Sequence, residues 1–356
     1  MKKDWTYKKL EEICEKGSSN ISLNKIEDNS GDYPLYGASG FVKGIDFFHQ
    51  SMPYIGIVKD GSGVGRVDVY PPKSSLVGTM QYIFPKEGCE LGYLKYLLTG
   101  MHLEKHKTGA AIPHIYFKDY GKTNVPLPSI EEQQQIVAEL DLLTGMIEKQ
   151  KAQIEELDKL SQSIFYDMFG DPVINNKGWN TSVLKNVSTL LNGRAYKQEE
   201  LLKDGKYKVL RVGNFFTNGS YYYSDLELED NKYCDYGDLL FAWSASFGAF
   251  IWQGEKVIYH YHIWKVLFDE NYLNKIFYCY LLNTMTNSFM NDLHGIGMMH
   301  LTKVGMEQYI LPLPPLSLQQ EFAAKIEAIE AMKAKVRQSL IESETLFNSR
   351  MDYYFN

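Results

Sequence analysis

The sequence predicts an α+β protein in which two similar β-rich globular segments each lead into a long amphipathic helix. Two observations carry this prediction. The stretch PLPSIEEQQQIVAEL, which begins at Pro126, returns as PLPPLSLQQEFAAKI from Pro312, a shift of 186 residues. Near the amino terminus, WTYKKLEEICEKG matches WNTSVLKNVSTLLNG at a shift of 174 residues, so the repeat begins well before the helices. The chain of 356 residues is therefore an internal repeat with room for two cores.

The first globular segment has the pattern of short strands and tight turns, because apolar and polar residues alternate around several glycines. Its run YIGIVKDGSGVGRVDVY predicts two strands, Tyr54 to Val58 and Gly65 to Tyr70, joined by a glycine-rich loop. A dinucleotide fingerprint would need a helix after GSGVG, whereas the strand-like VDVY follows. Nucleotide binding is therefore not indicated there.

A helix and a small-residue loop close each segment. The helix candidate ELGYLKYLLTGMHLEKH is matched by NKIFYCYLLNTMTNSFM, and the loop TGAAIPHIYFKDYG by HGIGMMHLTKVGME. Each loop runs directly into the Pro-Leu-Pro motif. The second segment contains further strand-like runs separated by Gly and Asn, so the two segments share their ends and differ in their middles.

The two long helices carry apolar residues at alternating steps of four and three, which is the pattern of a coiled-coil seam. Ser129 and Ser317 are the predicted N-caps. In the first helix the seam positions are Ile136, Leu140, Leu143, Ile147, Gln150, Ile154, Leu157, Ser161, Ile164 and Met168. In the second they are Phe322, Ile326, Ile329, Lys333, Val336, Leu340, Ser343, Phe347, Arg350 and Tyr354. The helices are predicted to pair with each other.

These patterns predict globular segments over 1–128 and 171–313, a central long helix over 129–170 and a C-terminal long helix over 314–356. Asp171 and Pro172 end the first helix, and VINNKGWN connects it to the second copy.

Composition narrows the class of protein. The net charge of −7 argues against a nucleic-acid binder that relies on one broad basic face, so such binding would need local patches or charge from partners. The four cysteines, Cys14, Cys89, Cys234 and Cys279, show no CxxC spacing, which fits a reducing cytoplasm without a disulfide framework. Without an apolar run of spanning length, we expect a soluble cytoplasmic protein with no membrane partner.

At its repeated Pro-Leu-Pro, Gln-Gln and long-helix units, the chain resembles the specificity subunits of type I restriction-modification systems. The motif YGDLLF and the loops around His114 and His300 support the resemblance, which spans essentially the whole chain. It implies two target-recognition domains, each reading one half of a bipartite double-stranded DNA target, separated by an antiparallel coiled coil. It also implies two methyltransferase (modification) subunits that use S-adenosylmethionine, and restriction/translocase subunits. Two similar readers related by pseudo-two-fold symmetry suit a split site.

Catalytic chemistry is not indicated in this chain. The sequence contains no N-P-P-Y or D-P-P-Y motif and no Walker motif, so we expect a non-catalytic subunit that carries no cofactor of its own. His260 and His262 in IYHYHIW could ligate a metal, but no acidic or cysteine partner has suitable spacing. As alternating strand residues they would share one face, so a surface or DNA-facing pair is the favoured interpretation.

DNA contact is expected from polar and basic side chains on loops that contain glycine, because such side chains can reach base edges and phosphates. In the first segment these candidates are Ser39, Lys43, Lys59, Ser62, Arg66, Lys105, Lys107 and His114. In the second they are Arg194, Tyr196, Lys197, Arg211, Asn214, Trp243, Ser244, Ser246, His262, His300 and Lys303.

Two other classes of function stay open at this point. A coiled-coil adaptor whose globular ends bind proteins would show no DNA specificity. A fused methyltransferase would need catalytic motifs, and the missing motifs speak against it.

Overall fold

The computed structural model describes residues 5–109, 112–216, 219–244, 246–291 and 301–356. The chain divides into two compact units, each holding one β-rich segment and part of each long helix. Unit 1 is Met1–Ala152 with Arg337–Asn356, and unit 2 is Gln153–Val336.

Unit 1 contains two main sheets and a two-strand pairing that ties its ends together. Its strands are β1 (Thr6–Lys9), β2 (Cys14–Ser18), β3 (Tyr33–Gly37), β4 (Gly40–Ile45), β5 (Tyr54–Val58), β6 (Val67–Tyr70), β7 (Ser75–Leu76), β8 (Met80–Pro85) and β9 (Asn124–Leu127). Its helices are α1 (Leu10–Ile13), α2 (Leu91–Gly100), α3 (Phe117–Tyr120) and the first part of α4 (Ile130–Phe169). The larger sheet has the order β2-β8-β5-β6, the smaller one β4-β3-β7, and β1 pairs with β9.

The strand β5 forms the centre of unit 1, because both of its faces are buried. Ile55 and Ile57 face a core cluster that includes α2 and the start of α4. Tyr54 and Val58 belong to a second cluster shared with the smaller sheet. Side chains alternate across a strand, so one short apolar run serves two cores.

Unit 2 repeats this plan. Its strands are β10 (Thr181–Val183), β11 (Ser188–Asn192), β12 (Tyr207–Leu210), β13 (Tyr222–Ser224), β14 (Tyr233–Cys234), β15 (Leu239–Ser244), β16 (Ser246–Ile251), β17 (Val257–Tyr259), β18 (Ile263–Phe268) and β19 (Ile310–Pro312). Its helices are α5 (Leu184–Val187), α6 (Val212–Phe216), α7 (Lys275–Asn291), α8 (Lys303–Glu307) and part of α9 (Leu316–Phe355). The sheet orders are β11-β18-β15-β16 and β13-β12-β17-β14, with β10 paired to β19. The predicted repeat is therefore confirmed in its strand order.

The start of α4 agrees with the sequence and the start of α9 does not. Ser129 Oγ accepts from the Glu132 amide at 3.3 Å, while Glu132 Oε2 accepts from the Ser129 amide at 3.1 Å, which is a reciprocal capping box. In the second copy the Leu318 amide donates to the Pro315 carbonyl, so the helix has already begun and Ser317 lies in its first turn. The prediction of Ser317 as N-cap is wrong, because Pro315 occupies the repeat position of Ser129 and α9 begins directly after it, at Leu316.

The two long helices contact each other in opposite directions within each unit. In unit 1, Gln150 Nε2 donates to Ser339 Oγ at 2.9 Å, and Arg350 Nη2 donates to Glu139 Oε2 at 2.9 Å. In unit 2 the Lys333 ammonium contacts Asp158 Oδ1 at 2.5 Å. Higher numbers on one helix meet lower numbers on the other, so the predicted pair is antiparallel.

The predicted seam positions lie on the less exposed side of both helices. All twenty are buried or half-buried, from Ile136 to Met168 and from Phe322 to Tyr354. The ends of the seam join the globular cores, since Ile136 and Leu140 belong to the core of unit 1, and Phe322 and Ile326 to that of unit 2. Within the described ranges, no helix is long and apolar enough to cross a membrane.

Candidate nucleic-acid interface

Three loops of unit 1 meet at one edge of the larger sheet. His114 Nδ1 and Asp60 Oδ1 are 2.6 Å apart, and the Gly61 amide donates to the Pro113 carbonyl at 2.9 Å. Arg66 Nη1 donates to the Ala38 carbonyl at 2.7 Å, which joins the glycine-rich loop to the β3–β4 hairpin. Segments far apart in the chain therefore form one surface.

The glycine-rich loop between β5 and β6 needs its glycines for close approach. Gly65 has a φ of +92°, and a Cβ there would lie 2.7 Å from the Glu104 amide nitrogen. A side chain would thus push the loop away from the segment that carries Lys105 and Lys107. The glycines of GSGVG therefore let the loop pack closely against this segment, which brings the polar side chains of both together.

The unit 1 candidates fall into two groups. Ser39, Ser62, Arg66, Lys105 and Lys107 are exposed on or beside the three loops. Lys59 and His114 are half-buried, and both contact Asp60. Lys43 lies on β4 and donates to the carbonyls of Ile26 at 3.2 Å and Glu27 at 2.8 Å, so it anchors a neighbouring loop.

A polar cleft of about 260 Å³ opens in unit 2 beside α6. It is lined by Arg211, Val212, Gly213, Asn214, Gly219, Ser220, His260 and His262. Burial, together with the neighbouring His262 and Arg211, lowers the pKa of His260 to about 4. His260 is therefore neutral near pH 7 and presents hydrogen-bonding nitrogens in place of a cation.

A second cleft of about 360 Å³ lies on the other side of His262. It is lined by Asn192, Trp243, Tyr261, His262, Trp264, Leu301, Thr302 and Lys303. The Trp243 and Trp264 rings stack at 5.4 Å, and Trp243 Nε1 donates to the Tyr261 carbonyl at 2.9 Å. This cleft offers aromatic walls with an ammonium at its rim, whereas the first cleft offers hydrogen-bonding groups.

His260 and His262 are not strand residues, contrary to the prediction. They lie in the connection between β17, which ends at Tyr259, and β18, which begins at Ile263. Their ring centroids are nevertheless 4.8 Å apart, because the turn brings them together. Among the residues that the structure describes, no group of three or more His, Cys, Asp or Glu side chains is placed to hold a metal ion.

Several unit 2 candidates are engaged within the protein. Arg194 donates two hydrogen bonds to Glu200, at 2.9 and 2.7 Å, and its guanidinium carbon lies 5.2 Å from the centroid of the Tyr196 ring. The hydrogen bond from Arg194 lowers the pKa of Glu200 to about 2. Asn214 uses its amide to accept from the Arg211 backbone and to donate to the Gly219 carbonyl. These hydrogen bonds fix the positions of Arg194 and Asn214 on the surface of unit 2.

The remaining unit 2 candidates differ in exposure. Lys197 and Lys303 are exposed and lie near Glu199 and Glu307, respectively. Ser244 is buried and Ser246 half-buried, facing each other across the β15–β16 hairpin. His300 lies outside the described residues.

Sequence reasoning missed Tyr261, Ser220 and Thr302, which line the two clefts. It also missed Phe41, whose side chain is 65% exposed next to the β3–β4 turn. The FVK sequence gives no signal for an exposed ring, because an apolar residue in a strand is usually buried.

Two units with the same strand order, each with polar and cationic loops at one edge and part of an antiparallel helix pair, define a tandem-repeat recognition protein. The sequence model of the type I restriction modification DNA specificity domain matches this chain twice, over residues 2–159 and 176–342. The chain belongs to that family. It is a specificity subunit of a type I restriction-modification system with two target-recognition domains.

Individual relatives agree with this assignment. The specificity subunit of the type I restriction enzyme MjaIX from Methanocaldococcus jannaschii is 23% identical over 378 residues, covering 92% of this chain and 87% of that protein. The MjaVIII specificity subunit of the same organism is 26% identical over 310 residues, covering 76% and 71%. Neither likeness supports the alternative of a protein-interaction adaptor.

Solved structures share the fold. A crystal structure of a type I restriction-modification S subunit from M. genitalium superimposes with a TM-score of 0.63 at 13% identity, covering 99% of this chain and 96% of that one. A structure from work on complex assembly and conformational transition of the type I system gives 0.57 at 16% identity, covering 98% and 96%. The predicted α+β architecture with a tandem repeat and long helices is confirmed.

Proposed function

We propose that each globular segment reads one half of a bipartite double-stranded DNA target, and that the helix pair sets the spacing and docks two modification subunits. The observation that carries this proposal is the doubled architecture. Both units carry cationic and hydrogen-bonding side chains on loops that connect their strands. A split DNA site needs two such surfaces.

Charge favours a reader that works with partners. The whole chain carries a net charge of −7, and many of its exposed cations are isolated on loops. Counterion release from such a surface is modest, so the affinity of the complex should depend strongly on cations supplied by other subunits. Base contacts from this chain then supply specificity while partners supply much of the affinity.

The proposed role includes no chemical step in this chain. S-adenosylmethionine and the methyl transfer belong to the modification subunits, and translocation and cleavage belong to restriction subunits. The described side chains fit this division, since the strongly shifted pKa values belong to buried tyrosines and cysteines, to ion-paired side chains such as Glu200 and Arg350, and to His260 in its polar cleft.

Exchange of one recognition segment tests the proposal directly. The chain is co-expressed with its modification subunits, and the methylated motif is determined by long-read sequencing. Replacing residues 1–128 with the matching segment of a relative should change one half-site and leave the other half-site and the spacer unchanged.

The reciprocal exchange of residues 171–313 is the matched control and should change only the other half-site. If either exchange alters both halves while the complex still assembles, the segments do not read independently. If the chain does not bind duplex DNA even in the presence of the modification subunits, the result favours the coiled-coil adaptor that binds proteins only.

A further inference from the structure

The β3–β4 hairpin of unit 1 presents an exposed aromatic ring at the edge where the polar loops meet. Phe41 follows the turn at Gly40, and its side chain is 65% exposed, with Val42 40% exposed beside it. Such exposure is not unusual by itself, since Met52 in the same unit is 71% exposed, so Phe41 is distinguished by its aromatic support and its polar neighbours.

The ring is held in place by a column of aromatic side chains that begins in the core. Tyr54, which is fully buried, stacks on Tyr70 at 5.8 Å, and Tyr70 packs against Tyr36 at 4.8 Å. Tyr36 then contacts Phe41 edge-on at 6.2 Å. Phe41 is therefore an exposed ring on a rigid support.

Cationic and polar groups lie on the turn that precedes the ring and on the loops that contact this turn. Arg66 donates to the Ala38 carbonyl within the same hairpin turn, and Ser39 is exposed in that turn. Lys59 and His114 lie on the two adjoining loops. An apolar ring among donors and cations is complementary to DNA, where stacked bases lie between anionic backbones.

Unit 2 has an exposed ring in the corresponding connection, although this ring lies on the helix α6 and not on a strand. The strand β12 corresponds to β3, because each pairs antiparallel with the following strand and parallel with a later one. The connection after β12 carries Phe216, which is 45% exposed and packs against Phe250 at 5.3 Å. Arg211 lies in the same connection. Both repeats thus place a Phe and an Arg beside this pair of strands.

We infer that Phe41 is a wedge that enters a base step of the DNA half-site bound by unit 1, with Phe216 in the corresponding role in unit 2. Apolar side chains inserted between base pairs unstack the step and bend the duplex. Because flexible pyrimidine–purine steps open most easily, the wedge adds sequence preference through DNA deformability. This inference rests on the proposed function and adds a mechanism of recognition to it.

The test uses the complex of the full chain with its modification subunits and a duplex carrying its methylated target. The fluorescent base 2-aminopurine is placed in turn at adenines of the half-site and at flanking positions, and dyes on the two duplex ends report bending. Binding should raise the fluorescence several-fold at one step and shorten the end-to-end distance.

Two substitutions separate the wedge from general packing. Phe41→Ala should abolish the fluorescence rise in the half-site bound by unit 1, reduce the bend and weaken binding about tenfold, because an apolar contact with the bases is lost. Phe41→Leu should keep both signals, since leucine also acts as a wedge. Met52→Ala is the matched control, because Met52 is 71% exposed in the same unit but lies outside the hairpin. The melting temperature of all three should equal that of the parent.

Two results overturn the inference while the proposed function stands. One is tight binding and normal methylation with no unstacked step and no bend. The other is a fluorescence rise in the half-site bound by unit 1 that persists in Phe41→Ala. Absence of any duplex binding by the parent complex overturns both the proposed function and the wedge.

Discussion

At the scale of single residues, the first glutamine of each Gln-Gln motif has a structural role. Gln133 and Gln319 are fully buried at the first turns of α4 and α9. Gln133 accepts from the Glu90 amide at 2.8 Å and donates to the carbonyls of Gly88 and Pro128. Gln319 makes the equivalent three bonds with Asn274, Tyr272 and Pro314. Gln133 thus ties the start of α4 to the start of α2, and Gln319 ties the start of α9 to the start of α7.

Gln133→Leu should lower the free energy of unfolding of unit 1 by about 2–4 kcal/mol, because buried backbone groups lose their partners. Gln319→Leu should do the same in unit 2. Gln134 and Gln320 are exposed neighbours, so Gln134→Leu and Gln320→Leu are matched controls with an expected effect below about 0.5 kcal/mol. Urea unfolding measures all four. Equal effects at buried and exposed positions would show that these bonds do not stabilise the helix starts.

His260 should make stability depend on pH. Its pKa is about 4 in the folded chain and 6.5 for an ordinary histidine, mainly because burial disfavours the charged ring. As pH falls below about 6.5 the unfolded chain takes up the proton first, so stability is lost between about pH 6.5 and 4.

His260→Gln removes this titration and should therefore be less sensitive to acid. Between pH 7.5 and 5, the parent should lose roughly 1 kcal/mol more stability than His260→Gln, a value reduced for the partial exposure of the ring. Urea unfolding at both pH values measures the difference. An identical loss of stability in both chains would mean that the pKa of His260 in the folded chain is that of an ordinary histidine.

At the scale of elements, the helix pair contains polar groups in its seam. Lys333 is 5% exposed, and its ammonium lies 2.5 Å from Asp158 and 2.6 Å from Glu330. Gln150 donates to Ser339, while its Oε1 atom is buried with no hydrogen-bond partner in the part of the chain that the structure describes. Burying the Lys333 ammonium and the Gln150 amide costs desolvation free energy. Single polar side chains in the seam specify the register of coiled coils.

Gln150→Leu should stabilise the chain by about 1 kcal/mol, because an amide with an unpaired buried oxygen is replaced by an apolar side chain. Lys333→Leu should do the same, because it removes the desolvation cost of a buried ammonium while its carboxylate partners stay exposed to water. The double variant should also form some oligomers, detected by light scattering, because it loses the groups that define register. Gln153→Leu and Lys335→Leu change exposed positions of the same helices, so they should neither stabilise the chain nor produce oligomers. A less stable double variant that stays strictly monomeric would contradict the register role of these residues.

At the scale of the whole molecule, helix length should determine the non-specific gap in the DNA target. Each long helix has 40 residues. Inserting four residues between Lys151 and Ala152, and four between Arg337 and Gln338, adds about 6 Å of rise. This is close to two base pairs at about 3.4 Å each. The added turn of about 40° beyond a full rotation can be absorbed as a stutter.

The half-site sequences should survive this double insertion and the spacer should lengthen, as determined by long-read sequencing of methylated DNA. The two insertion points lie at the same level of the helix pair, since Gln150 contacts Ser339. Insertion in only one helix is the control and should abolish methylation, because the seam then loses its register. Robust methylation with an unchanged spacer in the double insertion would contradict the prediction that helix length determines the spacer.

Much of the architecture was determined by the sequence itself. The repeat, the long helices and their seam follow from periodicity, which depends on neighbours a few residues apart. The same local logic found the Ser129 cap. It failed at Ser317, because Pro315 stands at the position that matches Ser129, and at His260 and His262, where the strand ends before the pair begins.

Only the tertiary structure decided which polar side chains are available for DNA. Lys43, Arg194 and Asn214 have the chemistry of DNA contacts, yet they bond to their own chain. The column of rings behind Phe41 was likewise invisible in the sequence. Its contact between Tyr36 and Tyr70 joins residues 34 positions apart in the chain. Periodicity specifies the face on which a residue lies, whereas its partner depends on long-range packing, so the repeat was predictable and the binding surface was not.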